Sequence, residues 1–315
     1  MNKKLLIPII LLLMVISSAC GSQANNKESA YTKNAAAPAA DSKESGKVTY
    51  QSELGPVEVP ANPQRIVALT NAPNVLALGG ALVGVDQWTQ KNPLFTKKLE
   101  GIEDVSDENL EKITALNPDL IIMGTQMKNN AELSKIAPTV AYTWGKRDYL
   151  AQQLEIGKLL NKEKEAQAWI DDFKQRAEAA GKEIKSRLGD NITVSVLETD
   201  TKTFYVFGDK WARGTEILYQ AMGLRMPESV KKDALGPGYH MLSQEVLPEY
   251  AGDYIVISRD LEGDKSFMDS ELWRSIPAVK NNRIIEIDTK ASTYSDPITL
   301  EHLLGIFKKG FLGKE

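Results

Sequence analysis

From Val48 onward the chain alternates short, almost continuously apolar runs with longer stretches whose apolar residues recur every three or four positions. The runs at 65–70, 82–86, 119–123 and 139–142 have the composition of strands buried on both faces of a parallel sheet. Helices are expected between them, at 71–79, at 107–116 with Leu110, Ile113 and Leu116 on one side, and at 130–136. Asn117-Pro118 and Ala137-Pro138 close the last two, because proline disfavours helical geometry in the residue before it. The result is a βαβ lobe over about 63–145. A second lobe repeats the theme, with strands at 193–197, 203–207, 254–257 and 283–287 and helices at 215–222, 244–250 and 297–309. Asp296-Pro297 opens the last of these, since aspartate caps orphan N–H groups and proline at the first helical position gives up no hydrogen bond.

Between the lobes, 148–188 is strongly helical. Leu150, Leu154, Leu159, Trp169, Phe173, Ile184 and Leu188 mark an apolar side, and Asn161 is the expected break. A helix of roughly 25 residues from Lys162 would be about 37 Å long at 1.5 Å per residue, enough to run behind both lobes and to restrict them to modest closure. The expected organisation is therefore an α/β lobe at 48–147, a connecting helical segment at 148–188 and a second α/β lobe at 189–315.

What precedes Val48 is different in kind. Lys3 and Lys4 are followed by an apolar run at 5–16, too short to cross about 30 Å of hydrocarbon comfortably, and then by Ser17-Ser18-Ala19-Cys20. This resembles a bacterial lipobox, with Ser17 where leucine is usual, and implies that 1–19 is a signal peptide and that the Cys20 thiol carries a lipid anchor. Residues 21–47 contain no Val, Leu, Ile, Met or Phe and read as a flexible tether. The expected location is the extracytoplasmic face of the cell membrane.

Charge and composition narrow the chemistry. With 38 Lys and Arg against 42 Asp and Glu, the chain has no basic excess for nucleic acid. Two histidines and one cysteine leave little for a protein-built zinc or copper site, and the lone cysteine cannot form an internal disulfide. No G-x-S-x-G elbow, phosphate loop or dinucleotide fingerprint accompanies the α/β pattern. Gly79-Gly80 and Gly236-Pro237-Gly238 read as turns, and His240 and His302 as isolated polar residues. More telling are aromatic and cationic residues beyond expected strand ends. Trp144, Trp211 with Arg213, and Tyr294 occupy loops of both lobes, where open α/β sheets bind ligands.

At these residues the chain resembles the lipid-anchored substrate-binding proteins of bacterial iron-siderophore importers, a class that also includes haem and vitamin B12 binders. The resemblance runs from about 48 to 312. It rests on Val57-Glu58-Val59-Pro60 through Arg65-Ile66-Val67, Leu110-Glu111-Lys112-Ile113 with Asn117-Pro118-Asp119-Leu120, Lys135-Ile136-Ala137-Pro138, Tyr205-Val206-Phe207-Gly208-Asp209-Lys210-Trp211-Ala212-Arg213-Gly214, Ala251-Gly252-Asp253-Tyr254 and Ser295-Asp296-Pro297. It is nearest to the ferrichrome-type iron-hydroxamate binders of Gram-positive bacteria.

The resemblance implies two Rossmann-like lobes joined by one long helix, no enzymatic activity and no cofactor. It also implies a ferric siderophore as ligand, in a pocket lined by Trp144, Trp211, Arg213 and Tyr294. It further implies a monomer that docks through Glu111 and Glu245, one per lobe, to an ABC permease with its ATPase. A hexadentate siderophore fills the octahedral shell of Fe(III), so a chain nearly empty of His and Cys suits this cargo. A tris-hydroxamate centre is close to neutral, whereas a tris-catecholate is strongly anionic and wants several converging cations. A single Arg213 among aromatics favours the former, while Lys146 and Arg147 beside Trp144 keep a catecholate open, as the family keeps citrate-hydroxamate, haem and cobalamin open.

Overall fold

A hairpin of β1 (Lys47–Ser52) and β2 (Gly55–Pro60) precedes the first lobe and is pinned to it by side chains. The Tyr50 hydroxyl lies 2.8 Å from that of Tyr142 and donates to Glu155 at 2.6 Å. Glu53, in the hairpin turn, accepts the Thr143 N–H at 3.0 Å and pairs with Arg147. Burial opposes the charge of Glu53, but the bonds from Thr143 and Arg147 hold its carboxyl below the usual range. The computed structural model describes residues 46–199 and 203–313, all within one compact unit, Glu44–Glu315. The expected signal segment, Cys20 and most of the tether lie outside the described residues.

Five parallel strands make the first lobe: β3 (Ile66–Ala68), β4 (Leu82–Val85), β5 (Glu103–Asp104), β6 (Leu120–Gly124) and β7 (Thr139–Tyr142), in the order β5-β4-β3-β6-β7. The chain winds outward from β3 through β4 to β5 and then crosses back to place β6 and β7 on the other side of β3, and such a reversal opens a crevice at the carboxyl ends of the strands. One face of the sheet packs Ile66, Leu120, Ile122 and Val140 with Ile156; the other packs Val67, Ile121 and Met123 with Ile113 and Leu133. Strands covered on both faces are why the apolar runs show no alternation.

The connecting segment is two helices, Tyr149–Leu159 and Glu163–Leu188, separated at Asn161, whose φ of 56° lies in the left-handed region. Asp148 caps the first by accepting the Leu150 and Ala151 N–H groups at 2.9 and 2.8 Å. The 26-residue second helix is fastened to the C-terminal helix, Pro297–Leu312: Glu301 accepts Trp169 Nε1 at 2.9 Å and Arg176 Nη1 at 2.7 Å.

In the second lobe, β8 (Val194–Thr199), β9 (Phe204–Phe207), β10 (Tyr239–Leu242), β11 (Tyr254–Arg259) and β12 (Ile284–Asp288) run in the order β10-β9-β8-β11-β12. Here the expected repeat of the first lobe is corrected. β8, β11 and β12 are parallel, but β9 runs antiparallel to β8 and β10 antiparallel to β9. The stretch between Thr199 and Phe204 is too short for a crossover, so β9 can only fold back. Two expected helices also differ. Glu216–Ala221 winds as a π-helix, and 244–250 divides into a 3₁₀ turn, Gln244–Val246, and a short helix, Leu247–Tyr250.

Candidate functional site

The site is built around a strained loop. Ala212, Arg213 and Gly214 are three consecutive left-handed residues, with φ of 58°, 53° and 78°. For the two that carry a Cβ this costs on the order of 1–2 kcal/mol each. Side chains and backbone hold the loop in place. The Trp211 N–H donates to Thr215 Oγ1 at 3.0 Å, the Ala212 N–H to Glu216 Oε1 at 3.1 Å, and the Arg213 N–H to the Ser292 carbonyl at 2.9 Å. Glu216 is buried, and burial pushes its carboxyl up despite those donors. Gly214 is the one residue the third position accepts, since a Cβ there would meet the Phe307 ring at 2.4 Å.

This geometry aims Arg213 across the end of the sheet. Its Nε donates to Glu198 Oε2 at 2.7 Å and its Nη2 to Glu198 Oε1 at 2.9 Å, while Ser258 Oγ donates to the same carboxylate at 2.8 Å. The guanidinium lies over Phe207, 5.2 Å from the ring centroid. The clamp engages one edge of the guanidinium plane and leaves the Nη1 end to meet another acceptor.

Aromatic rings continue from this point into the other lobe. Trp144, 72% exposed beyond β7, meets Trp211 edge-on with centroids 5.1 Å apart. Trp211 meets Tyr239 at 5.1 Å, and Tyr239 meets Tyr205 at 6.2 Å. Trp144 and Trp211 are thus brought together, with Arg213 two residues further along the same loop. Tyr294 stands apart from the stack. It reaches the first lobe, with its hydroxyl 3.2 Å from Thr89 Oγ1 and donating to Asp86 at 3.4 Å, and its ring 6.1 Å from Phe95. Burial and the Asp86 charge push its phenol well above the ordinary range. Its link to the loop is by chain, through Ser292.

Lys146 and Arg147 prove to serve the hairpin. Arg147 is clasped by Glu53 and lies 5.7 Å over Tyr142, and Lys146 is 3.4 Å from Glu53. Glu111, on the helix Leu110–Ala115, and Glu245, in the 3₁₀ turn, are both exposed and belong to different lobes. His240 stacks on Tyr250 at 5.9 Å, away from the loop. No group of three or more His, Cys, Asp or Glu able to hold a metal occurs among the described residues. A hollow of about 330 Å³ lies elsewhere, between the two connecting helices and lined by Tyr149, Leu154, Ile170 and Lys174; neither Arg213 nor the stacked rings line it.

The sequence pattern assigned no site role to Glu198, Tyr205, Glu216 or Tyr239. The alternation Tyr239-His240-Met241-Leu242 was the available signal for an extra strand with Tyr239 and Met241 on one side, and an acidic residue ending a buried strand was the signal for Glu198.

Residues 66–291 match the family described as periplasmic binding protein, and the chain belongs to that family. Its members are substrate-binding proteins of transport systems and not enzymes, and the two lobes with a long helix between them are the FhuD-like form of the fold. Among curated relatives, the chain is 36% identical over 299 residues to the iron(3+)-hydroxamate-binding protein FhuD of Bacillus subtilis (strain 168), covering 92% of each chain. It is 33% identical over 311 residues to the iron(3+)-hydroxamate-binding protein YxeB of the same organism, covering 96% of this chain and 94% of that one. Among solved structures, FhuD2 from Staphylococcus aureus with bound ferrioxamine B superposes with a TM-score of 0.75 at 33% identity, covering 80% of this chain and 99% of that chain.

Proposed function

We propose that this protein captures ferric hydroxamate siderophores of the ferrichrome and ferrioxamine type between its lobes and delivers them to an ABC permease, anchored by Cys20 to the extracytoplasmic face of the membrane. The observation that carries the reading is the loop that fixes Arg213 on Glu198 and, two residues earlier, sets Trp211 against Trp144 of the other lobe. Iron is cargo here. The siderophore occupies its whole coordination shell, so the protein recognises the organic wrapper and needs no metal ligand of its own. Arg213 donates to the hydroxamate oxygens that ring the iron, while the indoles pack against the chelate's apolar faces. Glu198 keeps the guanidinium oriented and partly neutralised, which suits a near-neutral complex better than a trianion. The engagement of Lys146 and Arg147 by Glu53 argues the same way against a catecholate. The names of the two curated relatives and the ferrioxamine B complex of the staphylococcal protein support the ligand class.

Trp144 and Trp211 make the binding visible. Titration with ferrioxamine B or ferrichrome is expected to quench tryptophan fluorescence saturably, and Arg213→Ala to weaken binding about 10- to 100-fold, the range for losing hydrogen bonds from a charged donor. Saturable binding of a ferric catecholate with no response to either hydroxamate would overturn the ligand class.

A further inference from the structure

β10 is the edge strand of the second sheet, and its two faces have different fates. Leu242 is buried in the core with Val206 and Phe204, and His240 stacks on Tyr250. Tyr239 and Met241 point the other way and remain 42% and 59% exposed. The register shows what they stand beside. Met241 opposes Tyr205, Tyr205 opposes Glu198, and Glu198 opposes Ser258, so one row crosses β10, β9, β8 and β11. Directly opposed residues share a face of the sheet. Deeper on this same face, Val194, Val196, Phe207 and Val256 are buried in a core with Phe173 and Ala177 of the long helix and Leu303 and Phe307 of the C-terminal helix. Met241 and Tyr239 lie outside that core.

The row is graded. Its inner end is polar, with Ser258 and the Glu198 carboxylate clamping Arg213; its outer end is apolar, with Tyr205 and Met241, and Tyr239 leaning on Trp211. A ferric trihydroxamate is graded in the same sense, with oxygens around the metal and linkers outside. If the oxygens meet Arg213, the linkers fall against β10. Methionine suits this position because its flexible, polarisable side chain packs on methylenes without leaving a polar atom to satisfy.

We propose that Tyr239 and Met241 form a wall for the siderophore's linkers, so that β10 selects among hydroxamates by linker and favours alkyl-linked chains. The proposal rests on the hydroxamate reading given above. The experiment uses two complexes with the same iron centre: ferrioxamine B, and iron(III) tris(acetohydroxamate) in excess acetohydroxamate, which has no linkers. Calorimetric titration of the Tyr239→Ser/Met241→Ser double variant is expected to show ferrioxamine B binding weakened about 5- to 30-fold, in line with the apolar contact removed, and acetohydroxamate complex binding unchanged within about twofold. Met241→Leu, which keeps the apolar volume, is expected to stay within about twofold for both. Equal weakening of both complexes, or no change with ferrioxamine B, would overturn the wall while leaving the hydroxamate reading standing. Failure of the wild-type protein to bind either complex would remove both.

Discussion

Asp296 caps the C-terminal helix from inside the protein. Only 1% of it is exposed, and its Oδ1 accepts the Ile298 and Thr299 N–H groups at 2.9 and 3.4 Å. Burial pushes its carboxyl up to about 6 from 3.8, overriding those favourable donors. The folded state therefore holds a proton that the unfolded chain has released, so this group favours folding below about pH 4, and its contribution declines as pH rises to about 6 and then levels off. Asp296→Asn keeps the capping oxygen and removes the charge. It is expected to be more stable than the wild type at pH 8 by roughly 1–3 kcal/mol and no different near pH 3.5, read from urea unfolding at both values. A carboxylate at a helix N-terminus contributes about 0.3–1 kcal/mol through the macrodipole, less than the desolvation it suffers here. A less stable Asp296→Asn at pH 8 would reverse that ranking. The same scale shows what sequence can reveal of a site. Trp144, Trp211 and Arg213 could be picked out as candidates from the sequence because chemistry-bearing residues past strand ends have a known use, and the structure sets the two indoles against each other. Glu216 was not, because nothing in a helix-like run marks a carboxylate as the buried support of a left-handed loop.

At the level of elements, one glycine sets the distance between the long helix and the second lobe. A Cβ on Gly181 would lie 2.1 Å from the Met222 carbonyl oxygen, which is backbone and cannot rotate away. In an exposed helix Gly→Ala gains about 1 kcal/mol from propensity. Here the overlap must be relieved by moving the helix off Glu216–Ala221 and its core, and overpacking of that kind costs about 1–3 kcal/mol or more. Gly181→Ala is expected to lower the urea midpoint without changing the slope of the transition. A raised midpoint would mean that the two backbones do not approach so closely. Most elements were legible from apolar patterning, including the 26-residue helix and its break at Asn161. The misses have physical causes. β1 and β2 pair with each other on the surface, so they lack an unbroken apolar run. A π-helix has the same composition as an α-helix, and strand direction depends on connection length, which apolar content does not encode.

Across the whole molecule, contacts between the lobes lie at both ends of the construction. Behind, the C-terminal helix, tied to the long connecting helix through Glu301 with Trp169 and Arg176, packs Ile298 against the core of the first lobe. In front, Trp144 meets Trp211, and Tyr294 reaches Asp86 and Thr89. A rigid spine with contact at the opening favours small closing movements, so surface groups on the two lobes are expected to keep nearly the same separation with or without ligand. Under the proposed function this lets Glu111 and Glu245 act as a pair against cationic residues of a permease. Both are exposed, and surface substitutions away from buried features seldom shift stability by more than about 0.5 kcal/mol. Glu111→Arg and Glu245→Arg are thus expected to leave the fluorescence titration and the melting temperature unchanged. Uptake of radioactive ferrioxamine B by cells is expected to fall about tenfold for each, and further for the pair, as charge reversal puts like charges together at a docking surface. Under the same proposal, Cys20→Ser in the same cells is expected to separate docking from anchoring, releasing the protein from the membrane fraction with its ligand affinity intact. Undiminished uptake by the double charge reversal would assign docking to another surface. Weakened ligand binding in either single variant would place that glutamate in the ligand site instead.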